Sequence, residues 1–188
     1  MVARAAQRLA ASAFLAAACA AAPSAAAMST EEAYAAIPHR RTTFEPPASK
    51  LPPAQSESLQ RLFAFTDRGV VLRVQGMAAR RNGDAQETRR VLDGYDALIE
   101  ETRAARMAPE VVAARDQVVE ALQMHRRFLA SRPTGFTFPR AELASTPDVS
   151  QASRKLQGAY GALVKSFPGE SPKHKQSFYD YLCALDYL

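Results

Sequence analysis

Met77 and His125 are the side chains in this sequence best suited to hold a cofactor. Each falls on an apolar stripe of helical spacing, and the two stripes are displaced by 48 positions. A thioether and an imidazole facing each other across a helical bundle can ligate a b-type haem, and copper suits the same pair. The plainer reading is that His125 is a core histidine and Met77 a core filler, because a lone His lacks the ligand spacing of a metal site. The chain contains no Cys-x-x-Cys-His run, so a covalently attached c-type haem is excluded.

The same displacement pairs Asp67 with Arg115. Phe63, Asp67, Val70, Val74 and Met77 stand at spacings of four, three, four and three, and Val111, Arg115, Val118, Leu122 and His125 repeat them. Two parallel helices facing a common axis would then bring Asp67 to Arg115 in one layer. Met77 would reach His125 about 15 Å further along.

His39, Arg40 and Arg41, followed by Thr42 and Thr43, form a compact basic and hydroxylic cluster with the forked donors that phosphate or carboxylate binding needs. A solvated linker reads the same way. His174 follows the start of the last helix and is expected at the surface. The three histidines form no Glu-x-x-His or His-x-x-x-His pair. Di-iron and zinc-protease chemistry therefore has no support. No Gly-x-Ser-x-Gly elbow or phosphate-binding glycine loop occurs either, and nothing points to a catalytic nucleophile. Tyr160, Tyr179, Tyr181 and Tyr187 crowd the last two helices, and those that face outward would form an aromatic contact patch.

These side chains need helices to position them. Leu59 to Arg81 carries the first stripe. Leu92, Tyr95, Ile99 and Thr102 carry a second helix, and Val111 to His125 a third. Asn82-Gly83 reads as a helix end, and Asp84 with Glu87 as a cap and capping box for the next helix. Pro109 opens the third helix as a first-turn proline. A fourth helix starts near Thr146-Pro147-Asp148, runs to Phe167 and is broken by Pro168-Gly169. Ser171-Pro172 opens a fifth, with Phe178, Tyr181, Leu182 and Leu185 on its stripe. Short linkers make the first three run up, down and up. The break at residues 132–147 reaches about 50 Å when extended against about 35 Å of helix, so its length leaves the direction of the fourth helix open. The fold class is all-α, an up-down bundle of four to five helices over residues 54–188. A short helix and an extended proline-rich N-terminal arm occupy residues 28–53, with Phe44 and Leu51 as its anchors.

Residues 1–27 read as a cleavable signal peptide. Arg4 and Arg8 form the positive region, Leu9 to Ala22 the apolar run, and Ala25-Ala26-Ala27 the cleavage site before Met28. A lipid anchor on Cys19 is the rival reading, but the Leu of its lipobox-like run sits one place too early. After cleavage only Cys183 remains, so no internal disulfide is available, and its apolar flanks make it a buried, inert thiol. The 188 residues carry 24 Lys+Arg against 19 Asp+Glu, a net charge of +5. Loss of Arg4 and Arg8 leaves 22 against 19, or +3, too mild and interspersed for a nucleic-acid surface. No transmembrane segment is expected in the mature chain. The sequence therefore points to an exported protein, periplasmic or secreted, that binds a protein or envelope component. The alternative is a haem- or copper-binding bundle using Met77 and His125.

Overall fold

The computed structural model describes residues 28–137 and 145–186. The expected leader with Cys19, as well as Tyr187, lies outside them. Among the described residues there are six α-helices: α1 Thr30–Ala35, α2 Pro53–Asn82, α3 Ala85–Ala104, α4 Pro109–Ser131, α5 Pro147–Ser166 and α6 Pro172–Asp186. A short 3-10 turn, Pro46–Ala48, interrupts the arm. Among the described residues there is no strand.

Local chemistry sets the helix ends. Ser29 and Glu32 cap α1 reciprocally. Gly83 ends α2 at φ 73°, a left-handed conformation that costs glycine little. Asp84 accepts from the Glu87 amide at 2.8 Å and starts α3. Prolines occupy the first positions of α4 and α5, and Ser171 accepts from the His174 amide at the start of α6.

Helix α2 lies at the middle, packed by α1, α3, α4 and α6. Its deep face is a heptad seam: Leu59, Leu62, Thr66, Gly69, Arg73, Gly76 and Arg80, all buried. This is not the stripe that apolar spacing picks out. Phe63 and Val70 of that stripe are buried, but Asp67, Val74 and Met77 are only partly so. The seam is built from small and polar residues because α4 and α6 approach it closely. A Cβ on Gly69 would stand 2.7 Å from Leu185 Cδ1 and 2.9 Å from Leu122 Cδ2. A Cβ on Gly76 would stand 2.6 Å from Leu129 Cδ1. Thr66 and Thr102 answer burial by returning their hydroxyls to Phe63 and Leu98 carbonyls on their own helices.

These contacts fix direction and register. Gly69 meets Leu122 and Gly76 meets Leu129, so α2 and α4 are parallel with a displacement of 53 positions along the seam. Ser58 receives the Ala108 amide at one end, and Arg80 donates to the Ala130 carbonyl at the other. Arg127–Asp148 and Glu120–Lys155 ion pairs show that α5 returns antiparallel along α4, which loop length had left open. Among the described residues these two helices approach each other most closely, and Ala114 and Ala121 of α4 and Ala152 and Ala159 of α5 are all fully buried. Tyr181 stacks on Phe63 at 4.4 Å while Leu185 reaches Gly69, so α6 runs parallel to α2. Helices α2, α4 and α6 point one way and α3 and α5 the other.

The arm lies along α6 in the opposite sense. Thr42 N–H donates to Asp180, Ser177 donates to the Thr43 carbonyl, Lys173 pairs with Glu45, and Ser49 donates to Glu170. Phe44 is 5% exposed and enters a ring cluster with Phe63, His174 and Phe178. Leu51 also packs against the core, half-buried.

Gly69→Val forces branched methyls into the space held by Leu122 and Leu185. Overpacking of this kind costs about 1–3 kcal/mol, and the expected result is a corresponding drop in urea-unfolding free energy followed by far-UV circular dichroism. Unchanged stability would contradict the close approach.

Candidate functional site

The 53-position displacement rearranges the chemistry expected from the sequence. His125 lies between Leu122 and Leu129 on α4 and is therefore level with Arg73, with Met77 one turn further along α2. Arg73 is 2% exposed, and Tyr95 from α3 and His125 from α4 are both fully buried. Three helices thus bring a guanidinium, a phenol and an imidazole into the core. Burial pushes the His125 imidazole well below its ordinary value, and the positive charge of Arg73 pushes it the same way. Neither His125 nitrogen has a hydrogen-bond partner. Burial raises the Tyr95 phenol, and Arg73 opposes that shift. Arg73 is itself pushed down by burial and supported by the charges of Tyr95 and Asp186. Met77 is a half-buried residue packed against the core. The neighbour that acts on His125 is a cation, an unfavourable setting for a metal ion. Among the described residues, no three His, Cys, Asp or Glu side chains gather as a metal-binding group.

Asp67 and Arg115 do not meet. Asp67 accepts from the Tyr34 hydroxyl and from Arg41, both at 2.8 Å. Arg115 donates to its neighbour Asp116 and to the Ala105 carbonyl. The register explains the difference, since it lifts Arg115 about one turn away from the level of Asp67. Burial raises the Asp67 carboxyl, although Tyr34 and Arg41 both favour its charged form.

The basic cluster is divided by these contacts. The Arg41 guanidinium pairs with Asp67 and lies over the rings of Tyr34 and Tyr181 at 4.9 and 5.8 Å. His39 Nε2 is 2.9 Å from the Asp180 carbonyl oxygen. Arg40 is exposed beside them. His39 and Arg41 thus serve as buttons that fasten the arm to α2 and α6.

The chain matches no family model, no characterised protein and no solved structure. Among the described residues, no helix is long and apolar enough to cross a membrane.

Sequence spacing missed several members of these sites. His174, expected at the surface, is 2% exposed, bonded to Glu170 and covered by Phe44. It is buried because the arm crosses over it. Glu170 and Asp180, the arm's two main acceptors, are also buried. For Arg73 a signal did exist: glycine recurs seven positions apart at Gly69 and Gly76, which marks a face too close to its neighbours for side chains. Cys183 is half-buried rather than sealed, and burial pushes its thiol up, away from thiolate reactivity.

Two outcomes check this account. In Asp67→Ala, Tyr34 and Arg41 lose their common acceptor, and trypsin should cut after Arg40, Arg41 and Lys50 several-fold faster, read by mass spectrometry. An unchanged rate would contradict the fastening role. For His125, the unfolded chain takes up a proton near its ordinary value of about 6.5, whereas the folded chain resists it. Its contribution to stability is therefore full above that pH and is lost as pH falls below it, by up to about 1.4 kcal/mol per pH unit. His125→Leu should be neutral or stabilising at pH 7.5 and should lack this component when urea-unfolding free energies are compared down to pH 5.5. Parallel pH profiles for the two proteins would contradict it.

Proposed function

We propose that this is an exported helical-bundle protein, periplasmic or secreted, that acts by binding a protein or another envelope component. Two features support export. The first 27 residues have the three-part pattern of a cleavable leader. Met28 packs against the core and Ser29 caps α1, so a chain cut before Met28 keeps every contact described above.

The binding role is carried by the edge between α5 and α6. Tyr179 is 46% exposed and meets Tyr160 edge-on, with ring centroids 5.6 Å apart. Beneath them Leu156, Leu182 and Cys183 border a mostly apolar groove of about 100 Å³. That space suits one inserted side chain better than an extended ligand. Tyrosine gives large rigid contact area with a hydroxyl that tolerates water, which is why it is enriched at protein interfaces. A protein that inserts an apolar side chain beside Tyr179 is the occupant this edge fits.

A photo-crosslinking phenylalanine analogue at position 179, introduced in the producing cell, should give a discrete protein adduct. The same group at exposed Gln151 on α5 should not. The mature protein recovered from the same cells should begin at Met28 by N-terminal sequencing. Adducts that are absent or identical at both positions would contradict the contact surface, and a retained leader would contradict export.

A further inference from the structure

A second, chemically different site lies where α2 and α4 end and α3 begins. Arg80, Thr88, Arg89, Asp93, Arg126 and Thr134 surround an open cleft of about 530 Å³. Its three arginines differ in their commitments. Arg126 is held in a fork by Asp96 at 2.6 and 2.7 Å, with Asp93 adding to the same field. Arg80 is 9% exposed and makes one long hydrogen bond, from Nη2 to the Ala130 carbonyl at 3.3 Å. Its Nε is sealed from water with no acceptor. Arg89 is exposed and makes no hydrogen bond or ion pair among the described residues.

A largely buried guanidinium with no carboxylate partner is stabilised by an anion that meets its cleft-facing edge, Nε itself staying sealed. Arg80 has no alternative nearby. The Thr88 hydroxyl donates to the Asp84 carbonyl at 2.7 Å, and Asp96 already serves Arg126, while Asp93 lines the cleft without an ion pair among the described residues. The wall opposite is held in place, because Gly135 N–H donates to the Arg80 carbonyl at 2.7 Å and fixes the turn that carries Thr134. The first turn of α3, with its positive dipole end, opens onto the same space.

We propose that this cleft binds a phosphate-bearing anion, gripped by Arg80 and Arg89 and oriented by the Thr134 hydroxyl. Arg80, Arg89 and Arg126 against Asp93 and Asp96 leave the cleft one net positive charge, so charge sets the sign of the ligand and geometry its class. The several oxygens of a phosphate group match two forked donors at once, which the two oxygens of one carboxylate do not. The volume exceeds that of the phosphate itself, so the ligand extends beyond it. The phosphate can belong to a soluble metabolite or to a lipid headgroup, and the two share the same contacts.

The test uses the mature protein at about 0.15 M ionic strength, where weak surface attraction is screened. Inorganic phosphate and pyrophosphate are titrated by calorimetry. In a separate arm, phosphatidylglycerol vesicles are compared with phosphatidylcholine vesicles by sedimentation. Saturable binding in either arm is expected, weakened at least about tenfold by Arg89→Ala, only partly restored by Arg89→Lys, and unaffected by Arg154→Ala at an exposed position on α5. Arg89 lies on the surface, so its loss leaves the core intact. The arm that binds identifies the source of the phosphate. Absence of saturable binding in both arms, binding indifferent to Arg89→Ala, or a tricarboxylate binding more tightly than pyrophosphate would overturn the proposal.

Discussion

The contact of Gly69 and Gly76 with leucines of α4 and α6 is the constraint on which the rest of the molecule depends. Side chains larger than hydrogen at these two positions would push the three helices apart. With them absent, Leu122, Leu129 and Leu185 descend onto the α2 backbone and fix how α4 and α6 slide along it. The slide decides the chemistry. It sets His125 beside Arg73, lifts Arg115 off the level of Asp67, and leaves Asp67 turned to the surface where the arm crosses. Arg73 and Arg80 follow the two glycines along the same seam and end up buried, a placement that their residue type alone disfavours.

The arm supplies a second layer of fixation. Cys183 is a free thiol, so α6 is not stapled to its neighbours by a disulfide through it. Its attachment comes instead from a segment that precedes α2 in sequence. Phe44 packs against both Phe63 and Phe178, worth roughly 1.5–3 kcal/mol of apolar burial. The Lys173–Glu45 pair is solvent-exposed and adds little, whereas the contacts to buried Asp180, Ser177 and Glu170 satisfy polar groups inside the molecule and set the arm's direction. The two ends of the described chain are thereby tied together, since contacts between residues more than 120 positions apart hold the last helix in place.

Much of the fold was legible because its boundaries are written in residues with local effects. Gly83, Asp84, Pro109, Pro147 and Ser171-Pro172 each act within a turn, and the helices begin and end beside them. What the sequence hid depends on contacts between distant segments. The α2 seam was obscured by its composition: Thr66, Gly69, Arg73, Gly76 and Arg80 do not look like a core. The neighbouring stripe through Met77 is more apolar and less buried. The 48-position repeat was real as a pattern, yet pattern matching aligns apolar residues, whereas packing aligned glycines with leucines. The difference of about one turn separates Met77 from the level of His125. His174 shows the same limit, because its burial comes from an arm whose path no periodicity describes. The two arginine-lined features, one sealed around Arg73 and one open at Arg80, were likewise invisible, since an arginine on a helix reads as solvated until its neighbours are known.

The register of α2 against α4 is tested most directly by nuclear Overhauser contacts in the folded protein. The account predicts contacts from the Gly69 α-protons to Leu122 and Leu185 methyls, and from the Gly76 α-protons to Leu129 methyls. Contacts from the Met77 methyl to the His125 ring, with those glycine contacts missing, would contradict it.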